Sequence, residues 1–183
     1  MFARTPRLLL RPGFPEDAPA LAAAIADEQI VRHLATAPWP YRMRDATAFL
    51  AAPRDPVLPS LLIFERTAAA PQLVGSCGLG RRPSGAIELG YWIARSYWGR
   101  GFATEAGTAL IDIARALGLS ALEGSHFLDN LASGRVLEKL GFTPRAIVAP
   151  RMSCARGAEY PARLMQLRLD ATDAVEEDEA IAA

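Results

Sequence analysis

Between residues 87 and 117 the spacing of apolar residues changes abruptly, and the change falls across Trp98-Gly99-Arg100-Gly101. On the N-terminal side, Ile87 to Ala94 is rich in β-branched and aromatic residues and reads as a strand. From Phe102 onward, Phe102, Ala106, Ala109, Leu110, Ile113 and Leu117 fall on one helical face. A strand, a glycine turn and a helix start form an anion site. The first-turn N–H groups lack intrahelical acceptors, the helix dipole is positive there, and glycine lets the main chain approach a phosphate closely. Arg100 adds a charge and Thr104 a hydroxyl within the same turn. The stretch is expected to cradle a phosphate group.

Two nucleotide-binding patterns are excluded by the residues. A P-loop needs Gly-x4-Gly-Lys-Ser/Thr, and this stretch has no lysine. A dinucleotide fingerprint needs Gly-x-Gly-x-x-Gly, whereas Gly99-x-Gly101 runs on to Thr104. The stretch instead resembles the pyrophosphate loop of the GNAT superfamily of acyl-CoA-dependent N-acetyltransferases, Gln/Arg-x-x-Gly-x-Gly/Ala, aligned on Trp98-Gly99-Arg100-Gly101-Phe102-Ala103. Trp98 departs from the Gln/Arg of that motif. Trp followed by Gly-x-Gly-Phe-Ala-Thr-Glu-Ala is similar to the branch of ribosomal-protein N-terminal acetyltransferases, the RimJ/RimL-like proteins. A second match lies at Asn130 and Ser133, an Asn-x-x-Ser segment followed by Leu137-Glu-Lys-Leu-Gly-Phe142.

The rest of the chain is consistent with one soluble α/β (α+β) domain over residues 1–170. The chain has 183 residues, 51% of them hydrophobic, enough for a substantial core. Arg7–Arg11 reads as a first strand, and Pro15-Glu16-Asp17 starts a helix continued by Leu21, Ala24, Ile25 and Glu28. Ile30–Leu34 is a further helical turn, and Thr36–Tyr41 a proline-bounded loop. A helix follows from Arg44, with strands over Ser60–Phe64 and Leu73–Leu79. After the glycine-turn helix, Ala121–Leu128 reads as the fifth strand. Asn130 or Asp129 caps a last helix, and Arg145–Ser153 and Tyr160–Leu169 are two closing strands. A three-strand meander leading into the helix implies a mixed, mostly antiparallel sheet of six to seven strands flanked by helices.

Composition narrows the partners. Acidic and basic residues balance at 20 each, so no nucleic-acid or membrane surface is indicated. No signal peptide or transmembrane run is apparent, which points to the cytoplasm. Cys77 and Cys154 are too few for a disulfide framework and are expected to be buried thiols; no metal cluster surrounds them. Ala171–Ala183, with Glu176-Glu-Asp-Glu179, reads as a disordered acidic tail.

The resemblance implies a GNAT fold splayed between the fourth and fifth strands, with acetyl-CoA as co-substrate and no metal. It implies that Gly99 to Ala103 hold the pyrophosphate and that the main chain of Trp92, Ile93 and Ala94 pairs with pantetheine. The acceptor is then a primary amine, on a small molecule or a protein N-terminus, and the enzyme a monomer or homodimer. Trp39, Tyr41 and His33 are candidates for acceptor contact, or they simply cover the sheet. An α-amino group is substantially protonated at neutral pH, so its proton must leave. Glu88 on the fourth strand and His126 on the fifth both remain open as the base. Asn130 either holds the pantetheine arm or only caps the helix, and Ser133 is implied as proton donor to the leaving thiolate. A non-catalytic acyl-CoA-binding or sensor domain on the same scaffold is the alternative, and a subunit serving only association is a third.

Overall fold

The computed structural model describes residues 1–169; the acidic segment 171–183 lies outside the described residues. One eight-stranded sheet runs in the order β1-β2-β3-β4-β5-β6-β8-β7. Its strands are β1 Ala3–Arg4, β2 Leu8–Arg11, β3 Ser60–Glu65, β4 Gln72–Arg81, β5 Ile87–Ile93, β6 Ala121–Phe127, β7 Thr143–Ser153 and β8 Ala158–Arg168. The two-residue β1, paired with β2 at Ala3↔Leu10, brings the count to eight against the six or seven expected. Two residues give no readable alternation, so the sequence pattern could not reveal it.

The helices are α1 Ala18–Ile25, α2 Glu28–Val31, α3 Met43–Ala51, α4 Phe102–Ala116 and α5 Leu131–Lys139. The first helical segment opens as a single 3-10 turn at Pro15–Asp17, where Asp17 accepts the main-chain N–H of Phe14 at 2.8 Å. The buried face of α4 holds Phe102, Ala106 and Leu110 as expected, but also Gly107, Ile111 and Ala114; Ala109 and Ile113 are only partly buried. The shift has a local cause. Leu140 sits 2.5 Å from where a Cβ on Gly107 would be, so the end of α5 presses directly on that flank. Of the two cysteines, Cys77 is buried, but Cys154 is exposed, because it stands in the turn between β7 and β8 rather than within a strand.

The pairing around β5 shapes the site. β4 and β5 pair antiparallel from Arg81↔Ile87 to Gly75↔Ile93. Against β6, in contrast, β5 is parallel and keeps one register pair, Glu88↔Glu123, among the described residues. A parallel neighbour requires a crossover, which is α4. Beyond Glu88 the two strands diverge, at the place where splaying was expected. β5 alternates across the gap. Glu88 and Trp92 face the side of α1–α3, where Trp92 packs against the clusters containing Leu21, Leu50, Ile30 and Val31. Leu89, Tyr91 and Ile93 face the side of α4 and α5.

Candidate active site

Two glycines in left-handed conformation, Gly99 (φ 75°) and Gly101 (φ 79°), form the turn between β5 and α4. An L-residue would be strained at either position. Gly101 is the N-cap of α4 without any side-chain cap, so the helix start presents bare N–H groups. The turn is fastened on three sides. Trp98 Nε1 donates to the carbonyl of Ile93 at 2.7 Å, tying the loop to the end of β5. Arg7 donates from Nη1 to the carbonyl of Arg100 at 2.8 Å and pairs through Nη2 with Glu105 at 2.7 Å. The Arg7 main-chain N–H and the Thr5 hydroxyl also donate to Glu105. Burial pushes the Glu105 carboxyl up, yet these donors outweigh it and hold it below its ordinary value.

One cleft of about 1050 Å³ runs from this turn through the gap between β5 and β6 to the far face of the sheet. Its lining includes Trp98, Gly99, Gly101 to Thr104, Trp92, Ile93, Glu88, His126, Asn130 and Ser133, together with His33 and Tyr41. The expected residues therefore meet in one cavity, with three exceptions. The Arg100 side chain turns back to Glu65 at 2.8 Å, its guanidinium over the rings of Tyr97 and Phe102, and does not line the cleft. Trp39 is exposed and outside the lining. Ala94 is buried and engaged elsewhere, its N–H donating to Val74 at 2.8 Å.

That last bond sets the hydrogen-bonding parity of β5. With Val74 and Ala94 bonded across the ladder, Trp92 also spends its main-chain groups on β4, opposite Ser76. The Trp92 carbonyl lies 2.2 Å from where a Cβ on Gly75 would stand. Of the three expected pantetheine partners, then, only Ile93 turns its main chain to the gap, and its carbonyl is already taken by Trp98. Tyr91 shares that parity. A sequence pattern reports side-chain alternation but not which main-chain groups a strand has free.

Glu88 and His126, both adjoining the gap, lie on opposite faces of the sheet. Glu88 is held by Arg151 in a two-pronged ion pair, with Nη2 to Oε2 at 2.8 Å, and also accepts from Ser125 at 2.8 Å and Arg82 at 3.2 Å. Burial drives its carboxyl up, but Arg151, Ser125 and Arg82 together bring it below its ordinary 4.5. His126 lies against α5, its ring 3.0 Å from where a Cβ on Gly134 would be. Its Nδ1 is 2.9 Å from the carbonyl of Phe127, which can only accept, so Nδ1 carries a proton and donates it there.

Neither Arg151 nor Tyr91 was singled out by sequence reasoning. Arg151 reaches Glu88 from β7, 63 residues away in the chain, a pairing that no local spacing encodes. The hairpin bearing it is anchored to the α2 segment. Ser153 Oγ donates to the carbonyl of Arg32 at 2.9 Å, and Arg156 binds both Asp129 and His33 Nδ1, each at 2.9 Å. Since guanidinium only donates, the His33 Nδ1 lone pair is consumed, and burial keeps the ring neutral. On α5, Asn130 Oδ1 accepts the Ser133 N–H at 3.1 Å, the N-cap expected. The Ser133 hydroxyl is 2.9 Å from the Tyr91 hydroxyl. Arg135 and Lys139, on the same helix, also line the cleft.

A family model described as an acetyltransferase (GNAT) domain matches residues 7–143, more than half of the chain. The N-acetyltransferase p20 of Bacillus licheniformis, itself named as uncharacterized, is 28% identical over 153 residues, covering 79% of this chain and 83% of its own. Among solved structures, an acetyltransferase of the GNAT family from Bacillus anthracis superposes with a TM-score of 0.78 at 18% identity, over 92% of this chain and 99% of its own. RimL, a ribosomal L7/L12 α-N-protein acetyltransferase solved in complex with coenzyme A, gives 0.75 at 18% identity, over 94% and 100%. No described helix is long and apolar enough to cross a membrane.

Proposed function

Because the chain belongs to the GNAT acetyltransferase family, we propose that it transfers an acetyl group from acetyl-CoA to a primary amine entering from the face of α1–α3. The observation that carries this reading is the continuous cleft, which joins the glycine turn on one side of the sheet to Glu88 on the other. The first-turn N–H groups of α4, with Gly99 and Gly101, would hold the pyrophosphate. Arg135 and Lys139 bring positive charge to the same cleft for the remaining phosphate. The acyl arm would lie in the gap, where Tyr91 and Ile93 turn their main chain toward it. RimL binds coenzyme A on this fold, which supports the same co-substrate here.

Glu88 is the proton acceptor in this scheme, and its position on the acceptor face favours it over His126. Its low basicity assigns it a defined task. It stays ionised throughout neutral pH and accepts the proton only as the nitrogen–carbon bond forms and the nitrogen becomes strongly acidic. The C–S bond then breaks, and the leaving sulfur is met by the Ser133 hydroxyl at the positive end of α5. Overall one proton leaves the amine and one joins the thiol. His33 and Tyr41 line the acceptor side, where apolar residues such as Ile30 and Leu34 leave room for an apolar side chain beside the amine.

The deciding experiment is thiol release from acetyl-CoA by the purified protein across a panel of small amines and peptides with free N-termini. Release above the uncatalysed rate with at least one class is expected. Tight acetyl-CoA binding with no turnover on any acceptor would instead establish a binding or sensor role.

A further inference from the structure

We infer that Tyr91 is a positioning residue whose hydroxyl decides whether Ser133 can donate its proton to the sulfur of coenzyme A. The inference rests on the assignment of Ser133 to the leaving sulfur and adds to it a residue that acts through Ser133.

The Tyr91 hydroxyl lies 2.9 Å from Ser133 Oγ and 3.1 Å from the Ser133 carbonyl oxygen, and it has one proton to give. If that proton goes to the carbonyl, Ser133 must donate its own to Tyr91, and nothing remains for the sulfur. If it goes to Ser133 Oγ, the serine proton is released to point into the cleft. The carbonyl loses little in the second arrangement, because it lies within α5, where the N–H four residues on is its ordinary helical partner. A negative sulfur in the cleft favours the second arrangement, so the pair is set by the charge it serves. The bond between the two hydroxyls is kept with its direction reversed, and the Tyr91 bond to the carbonyl is exchanged for one from Ser133 to the sulfur.

The surroundings keep Tyr91 a donor. It is largely buried, and burial pushes its phenol up to about 12 despite the bond to Ser133, so it does not ionise in any working range. The Asn130 cap fixes Ser133 from the other side by holding its N–H at 3.1 Å. Tyr91 thus meets Ser133 across the opening between β5 and α5, with both residues in the lining of the cleft.

The test uses coenzyme A itself and needs no acceptor. Ultraviolet absorbance of the thiolate reports the ionisation of the bound thiol, with a coenzyme A analogue lacking sulfur as the blank. In the wild type the bound thiol should ionise at lower pH than the free thiol. Ser133→Ala should move it back up by about one pH unit, the scale of a lost hydrogen bond to a charge. Tyr91→Phe should move it in the same direction by roughly half as much, and the double variant should match Ser133→Ala alone. The affinity for coenzyme A at a pH where the thiol is neutral should be unchanged in Tyr91→Phe. 3-Fluorotyrosine placed at position 91, a more acidic phenol of nearly the same shape, should shift the ionisation further down; this arm holds even if Tyr91→Phe folds poorly. A shift in Ser133→Ala with none in either Tyr91 variant overturns the role of Tyr91 alone. No shift in Ser133→Ala overturns the assignment of Ser133, and the role of Tyr91 with it.

Discussion

Replacing Arg151 by methionine removes both charged donors on one side of Glu88 while keeping most of the side-chain volume. Two hydrogen bonds between charged groups are each worth about 1.5–3 kcal/mol when fully sheltered. Here the side chains are 27% and 17% exposed, so solvent recovers part of that, and Ser125 and Arg82 remain on the carboxylate. A net loss of about 2–3 kcal/mol at pH 7 follows, or roughly 5–10 °C in Tm for a chain of this size. The loss should depend on pH, and its sign is set by the direction of the Glu88 shift. A carboxyl held below 4.5 in the folded state stabilises the protein above 4.5, and that contribution disappears as pH falls through the folded value. In Arg151→Met the carboxyl rises toward or above 4.5, because burial is no longer outweighed. Calorimetric melts of both proteins should therefore differ most near pH 7 and converge at the lowest pH where both still fold. Equal destabilisation at both ends would mean that Arg151 acts by packing alone. An unchanged melt at pH 7 would mean that the ion pair is exchanged for water at no cost, and the description of Glu88 as a restrained, weakly basic carboxylate would fall with it.

Gly101→Glu should reduce acetyl-CoA binding below detection by calorimetry, because it forces a side chain onto φ 79° and a negative charge onto the phosphate turn; unchanged affinity in a folded variant would refute the phosphate assignment. Glu88→Gln should lower turnover by about 10²–10⁴-fold at neutral pH with little change in acetyl-CoA affinity, whereas His126→Gln should be nearly neutral; the reverse outcome would transfer the proton to His126. Because Glu88 is held below 4.5, the wild-type rate should rise through neutral pH as the acceptor's ammonium loses its proton and follow that acceptor when it is changed; a limb that stays fixed across acceptors would belong to the protein. Glu105→Gln should loosen acetyl-CoA binding more than it lowers turnover, since it weakens the clamp of Arg7 and Thr5 on the turn without touching the gap; equal effects on both would place Glu105 nearer the chemistry than its contacts indicate.

The parts of this protein legible in its sequence are those set by neighbours in the chain. The change of period at residues 98–102, the two glycines and the Asn130 cap are each dictated by a few consecutive residues, because turn sterics and helix-end hydrogen bonding are local. The mixed sheet followed from the same short-range signals, since brief connections force antiparallel neighbours and one helical crossover forces a parallel one. What Glu88 is able to do was settled elsewhere. Its basicity depends on Arg151, which β7 delivers from 63 residues away after the hairpin has docked on Arg32 and His33. The face that His126 occupies, the main-chain groups that β5 leaves to the gap, and the meeting of Tyr91 with Ser133 likewise come from strand register and helix packing. Long-range ion pairs and hydrogen-bond parity carry no sequence period, because they are fixed only when separate elements have closed on one another.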